Sequence, residues 1–426
     1  MTADRYVFDR ITHRLLQAGF ISFALFAPFS IAGMTISMGL VAIGWLGNAI
    51  SCGGSAPVQH DALLWPAIAL AVLALPSVLL SVDSARAFSD WRSYWQLLIY
   101  FGVAGYLVRT GMRERVVHVL AFATILSCAV AFTQRAGGLH WGPVHIGAEH
   151  RVSSTLFTMT FAGILAQLVL FFATTVWIRT YSIRSRAVFA VTTLMALAAL
   201  LLTMTRGAWI AVAAGGMALC LILRRKKLIA ATLVGAITMG VFAIHSGRDQ
   251  GRTFSPSAIV HSAPDRNVHT RLVLWRVAWD LFVEHPVLGV GMGDYTIEAN
   301  RLVREHGDRG VLTTVDAHNV CLQVLATRGL VGFIPFAAFW IMVFVVLVRT
   351  MRSFPNNSAA HLYAAGLIAV TVVLLVGSLT EDNIDDEEVL NVYLFLLGLA
   401  RSVEYGRARH TVSSIPAPPP QPQITQ

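Results

Sequence analysis

Residues 188–205 (VFAVTTLMALAALLLTMT) and 207–223 (GAWIAVAAGGMALCLIL) are two apolar runs separated only by Arg206 and closed by Arg224-Arg225-Lys226-Lys227. A hydrocarbon core about 30 Å thick is crossed by roughly 20 mostly apolar residues in a helix. The pair therefore predicts two membrane-spanning helices joined by a turn of a residue or two. Ten further runs read the same way, and the twelve expected spans are 15–31, 34–50, 63–82, 91–108, 115–133, 157–178, 188–205, 207–223, 228–246, 330–348, 361–380 and 388–402. Composition agrees, since 56% of the 426 residues are hydrophobic and only 13% charged, against roughly 25% charged in a soluble domain. So few charges cannot coat several water-facing domains. With a mean hydropathy of +0.64, the fold expected is an all-α polytopic membrane protein of about twelve transmembrane helices.

The first run passes into the second with only small residues such as Ala32 and Gly33 between them, so it is read as a retained span and not a cleaved signal peptide. Cys52, Cys128, Cys220 and Cys321 are far apart with no CxxC pair, which indicates neither a disulfide framework nor a zinc site.

Net charge is +9, which in a soluble chain would point to nucleic acid. In a membrane protein it first reports the excess of Lys and Arg in cytoplasmic loops. Assigning alternate loops to the cytoplasm places 18 of the 32 basic residues there, among them Arg5, Arg10, Arg14, Arg109, Arg113, Arg179, Arg184 and the cluster 224–227. The opposite short loops hold only Arg86, Arg92, Arg135, Arg151 and Arg206. Both termini are thus expected in the cytoplasm, with no nucleic-acid partner. The resulting divisions are a cytoplasmic N-terminus (1–14), spans one to nine (15–246), a large outer segment (247–329), spans ten to twelve (330–402) and a Pro-rich, disordered cytoplasmic tail (403–426).

The outer segment is where chemistry has room. Asn267 is read as the cap of a helix over 268–284, with Arg276, Asp280 and Glu284 spaced to form an ion-pair row along one face. Arg271 points elsewhere on that helix, as solvated surface or as a binding group. The Gly-rich turn His285–Gly293 follows, and with no βαβ unit around it a nucleotide-binding reading is rejected. Asp316 is read as the cap of a short helix over 317–328, closed by Gly329. His318 would then sit at the positive end of that helix, which disfavours imidazolium and keeps the ring available as a base; the ordinary reading is a histidine bonding local backbone.

Arg206 is either an arginine snorkelling to the interface beside Trp209 or a guanidinium fork placed for a phosphate oxygen at the membrane surface. The acidic run Glu381–Glu388 lacks EF-hand spacing, so no metal site is assigned; Glu381 or Asp382 is the carboxylate near enough the membrane to orient a base. His140, His145 and His150 are read as surface groups.

Three segments together resemble the O-antigen ligase family, whose signature region is shared with O-antigen polymerases and pilin oligosaccharyltransferases. They are Thr205-Arg206-Gly207-Ala208, Arg271 with Trp275 and His285-Pro286 through Gly293, and His318-Asn319 with Gly329 and Gly332. The resemblance implies a helical, GT-C-like glycosyltransferase of the lipid-linked-donor type. It further implies a site at the periplasmic face of a Gram-negative inner membrane. The donor would be a glycan on undecaprenyl diphosphate and the acceptor a lipid A-core sugar, as in lipopolysaccharide biosynthesis. Arg206 and Arg271 would bind the diphosphate, His318 would act as base, and Glu381 or Asp382 would orient it, with no cofactor and no metal. A polymerase or pilin-directed transferase would differ in acceptor. A transporter or flippase is the reading from a different class, against which no charged residue falls in the middle of an expected span.

Overall fold

The computed structural model describes residues 3–51, 61–110, 112–137, 151–224, 235, 266–307 and 316–413. Among them the regular structure is entirely helical. In chain order the helices are α1 Ala3–Phe26, α2 Ile31–Ser51, α3 Leu64–Leu73, α4 Leu75–Leu79, α5 Ser84–Arg92, α6 Leu97–Thr110, α7 Arg113–Arg135 and α8 Thr158–Thr175. There follow α9 Ile183–Leu202, α10 Arg206–Leu223, α11 Arg266–Glu284, α12 Tyr295–Glu305, α13 Val320–Ser353, α14 Ala359–Gly377 and α15 Glu387–Ser413.

Seven of the described helices, α2, α7, α8, α9, α10, α13 and α14, are long and apolar enough to cross a membrane, which makes the protein a polytopic membrane protein. The other expected spans take different forms. Run 15–31 is the apolar half of α1, which begins far earlier. Run 63–82 is broken into α3 and α4, with a proline at the first turn of α4, because proline lacks the amide needed to continue a helix. Run 91–108 passes from α5 through a 3-10 turn at Ser93–Gln96 into the 14-residue α6. Run 388–402 lies in α15, and 228–246 lies outside the described residues. Residues 403–413, expected in the disordered tail, continue α15 as helix.

Helices α8 and α14 form the centre of the bundle, with 83% and 72% of their apolar windows buried against 28% for α9. Small residues allow the close approach. A Cβ on Gly215 of α10 would stand 2.7 Å from the Ala369 carbonyl oxygen, and one on Gly44 of α2 would stand 3.0 Å from the Leu16 amide nitrogen of α1. Without a hydrophobic force between helices in lipid, such backbone proximity supplies the dispersion contact that holds them together.

The described turns carry hydrogen bonds at both ends of the bundle. At one end, Arg151 Nε donates to the Thr203 carbonyl at 2.8 Å, Val320 N to Ser378 O at 3.0 Å and Thr160 Oγ1 to Asp386 Oδ2 at 2.7 Å. At the other, the hydroxyls of Tyr181 and Tyr363 meet at 2.7 Å. There too, Tyr100 Oη donates to Asp61 Oδ2 at 2.6 Å, with Arg401 3.9 Å from the same carboxylate.

Candidate functional site

The Gly-rich turn proves to be a backbone crossing. Val290 N donates to Ala326 O at 2.9 Å and Gly291 N to Thr327 O at 3.1 Å, while Leu330 N and Val331 N donate back to Pro286 O and Val287 O at 2.9 and 3.1 Å. At the crossing α13 kinks at Gly329, whose φ of 58° and ψ of −158° are non-helical and lie in a region essentially confined to glycine. A Cβ on Gly289 would fall 2.3 Å from the Thr327 carbonyl carbon, and one on Gly329 2.4 Å from that of Val287. The two glycines are therefore needed for two main chains to touch. Beyond the turn, Asp294 accepts from Val82 N and Asp83 N at 2.7 and 2.9 Å, tying the start of α5 to the start of α12.

This crossing aims the first limb of α13. Its cap is Asn319, whose Oδ1 accepts from Leu322 N at 3.2 Å, and not Asp316 as the sequence reading expects. The expected 317–328 helix is instead the first limb of a 34-residue helix running to Ser353. The paired row expected along 276–284 is also redirected: Glu284 binds Arg301 at 2.5 Å and Asp280 faces His306 at 3.9 Å, so both acids reach across to α12 and its C-terminal end.

His318 precedes the cap, with φ of 48°, and is not in the first turn. Its Nδ1 lies 3.3 Å from both Asp316 Oδ1 and Asp382 Oδ2. The hydrogen bond that Nδ1 donates to Asp382 holds the imidazole above its usual pKa, with burial opposing and the charges of Asp316 and Glu381 adding to it. The expectation that the helix dipole keeps the ring neutral is thus overturned. A helix end contributes about 0.3–1 kcal/mol and fades within a turn, less than two carboxyls in contact with the ring nitrogen. Asp382 is in turn pushed upward by burial, by its hydrogen bond with Asp316 and by the charges of Asp316 and Asp385, with only the bond to His318 acting downward.

Glu381 and Asp382, interchangeable in the sequence, are separated in space. Asp382 touches His318, whereas Glu381 receives a short charge-assisted hydrogen bond from Arg271 Nη2. Arg206 is the first residue of α10 and is half-buried. The next residue, Gly207, packs so closely on Thr380 that a Cβ there would be 2.5 Å from its hydroxyl and 3.7 Å from Glu381 Cγ. The start of α10, the ion pair Arg271–Glu381 and the His318 group are thereby brought into one neighbourhood. His140, His145 and His150 lie outside the described residues.

A cavity of about 540 Å³ opens beside this group, with His318, Glu381 and Asp382 on its wall. Arg206 and Arg271 are not among its lining residues, and Arg271 is joined to its wall through Glu381. Its remaining wall brings in residues that sequence reasoning missed, notably Arg86, Tyr295, Arg328 and Asp385. They come from α5, α12, α13 and the 378–386 turn, and no local motif joins them. One ligand atom each from Asp316, His318 and Asp382 lies within 4.8 Å of the others. That set can hold a shared proton or accept a small cation.

Residues 191–337 match the family model described as O-antigen ligase. The segment contains Arg206, Arg271, His318 and the backbone crossing, and the resemblance read from the sequence is borne out there. No curated protein matches the chain. Residues 191–337 of this multi-pass membrane protein are thus similar to O-antigen ligases.

Proposed function

We propose that this protein is an O-antigen ligase that transfers a glycan from undecaprenyl diphosphate to a lipid A-core sugar, at the periplasmic face of a Gram-negative inner membrane. The observation that carries this reading is His318 bound through Nδ1 to Asp316 and Asp382, beside the Arg271–Glu381 pair. With Nδ1 occupied by carboxyls, a neutral ring keeps its acceptor lone pair on Nε2. That nitrogen takes the proton of the acceptor hydroxyl as its oxygen bonds to the anomeric carbon. The bond from that carbon to the diphosphate breaks on the opposite face, so the configuration inverts.

Arg206 and Arg271 bind the departing diphosphate and stabilise the charge that grows on it, with Arg271 exchanging Glu381 for a phosphate oxygen. Two guanidinium forks replace the divalent ion that a diphosphate leaving group otherwise calls for, so the reaction is metal-independent. The GT-C-like architecture with about twelve spans, both termini in the cytoplasm, a periplasmic segment over 247–329 and a cytoplasmic tail over 403–426 belong to the same proposal. Donor and acceptor both carry lipid tails, so a site at the bundle end admits each from the bilayer.

Purified protein mixed with undecaprenyl-diphosphate glycan and lipid A core tests the reading. A ladder of ligated product is expected. Product only on a second undecaprenyl-linked glycan would make the protein a polymerase, product on pilin an oligosaccharyltransferase, and glycan flipping in liposomes without ligation a transporter.

A further inference from the structure

Tyr295 opens α12 with its ring packed in the small core of Val277, Leu281 and Ala299 and only 2% of the residue exposed. Its hydroxyl has no hydrogen-bond partner, yet the residue lines the cavity that also contains His318. A buried hydroxyl left unpaired opposes folding, and phenylalanine would fill the same space without that cost. Burial, with the nearby charges of Asp316 and Asp382, raises the phenol pKa, so the group is a hydrogen-bond donor at every physiological pH.

Those two carboxyls also place Tyr295 beside the His318 cluster. Elsewhere on the wall, Arg328 has an Nε buried without a partner although its Nη1 donates to Tyr94 Oη at 2.8 Å. The carboxyl of Asp385 faces the same space, and Phe157, 56% exposed, contributes an apolar surface. Unsatisfied donors, acceptors and an aromatic face together match a pyranose, with its ring of hydroxyls and apolar C–H face.

We propose that this cavity is the acceptor-sugar pocket, in which Tyr295 Oη donates a hydrogen bond to the sugar whose attacking hydroxyl is held at His318. The proposal rests on the transfer reaction above and adds to it where the acceptor sits and which group selects it. Tyr295→Phe in the purified full chain tests it against Thr296→Val, which removes a neighbouring buried and unpartnered hydroxyl that is not on the cavity wall.

Tyr295→Phe is expected to raise the KM for lipid A core about tenfold, the loss of about one hydrogen bond. It should leave the donor KM unchanged and the thermal midpoint equal or higher. Thr296→Val is expected to alter neither KM. An unchanged acceptor KM, a change confined to the donor KM, or a lowered midpoint with unchanged KM would overturn the assignment, the last showing a hydroxyl that serves packing alone. If the unaltered protein transfers no glycan, the functional reading fails separately. Calorimetry with delipidated core oligosaccharide then decides the pocket: binding weakened about tenfold by Tyr295→Phe supports it, and equal or absent binding in both proteins overturns it.

Discussion

Asp382 Oδ2 and His318 Nδ1 stand 3.3 Å apart, one from the turn before α15 and the other from the residue before the cap of α13. Asp316 closes on the same nitrogen at the same distance, so the ring is oriented by two carboxyls, only one of them near it in sequence. Because both partners raise the imidazole pKa, the ring is charged below that raised value and becomes a base only as pH rises through it. Transfer should therefore show an acid limb above the usual histidine range near 6.5, measurable as kcat/KM against pH.

His318→Ala is expected to lower the transfer rate roughly 10²–10⁴-fold, the usual worth of a positioned base. Near-normal transfer in vitro would remove His318 from the mechanism. Asp382→Asn takes away the largest upward influence on the ring. Its acid limb should move to lower pH while the plateau falls, and a limb that stays in place would show that Asp382 does not govern the proton.

Arg206→Lys and Arg271→Lys keep the charge and lose the fork. Each is expected to reduce kcat by roughly 10–10²-fold, less than the roughly 10²–10³-fold that complete loss of one donor to a developing anion costs, because the charge is kept. Glu381→Gln should be milder than Arg271→Gln, because it removes only the group that holds Arg271 before the donor arrives. Unchanged kinetics in both lysine variants would count against bidentate phosphate binding.

Gly329→Ala forces a side chain into a dihedral region that costs of order 1–3 kcal/mol, and its Cβ would meet the Val287 carbonyl carbon at 2.4 Å. The thermal midpoint in detergent is expected to drop clearly. Gly39→Ala in α2, where a Cβ meets nothing within 4 Å, should leave the midpoint unchanged or raise it, since alanine favours helix over glycine by roughly 0.5–1 kcal/mol. Equal midpoints for the two variants would mean that the crossing of 286–291 with 326–331 does not hold the site.

The trio Asp316, His318 and Asp382 has the geometry to take a cation, so metal independence is open to a direct check. Activity is expected to survive EDTA. Loss on chelation and recovery with magnesium would replace the shared proton in that trio by an ion and reassign the role of the arginines.

The apolar runs were legible because a bilayer demands long stretches with few charges, and that demand is written locally along the chain. The motif residues Arg206, Arg271 and His318 could be picked out because order and spacing survive in sequence. The helix beginning at Val320 was misplaced by three residues: both Asp316 and Asn319 are good caps, and the choice was made by contacts of Asn319 and Val320 with Leu379 and Ser378. Likewise the acids at 280 and 284 had suitable partners on their own helix, but the docking of α12 offered Arg301 and His306 instead.

By itself, then, the sequence determined that the protein is helical and membrane-embedded, because hydropathy acts residue by residue. Which neighbour of the pair 381–382 meets His318, why Gly289 and Gly329 must be glycine, and where Tyr295 and Arg328 enter the cavity were decided only in three dimensions. Each depends on a distance between segments far apart in the chain, and such distances exist only after the helices have packed.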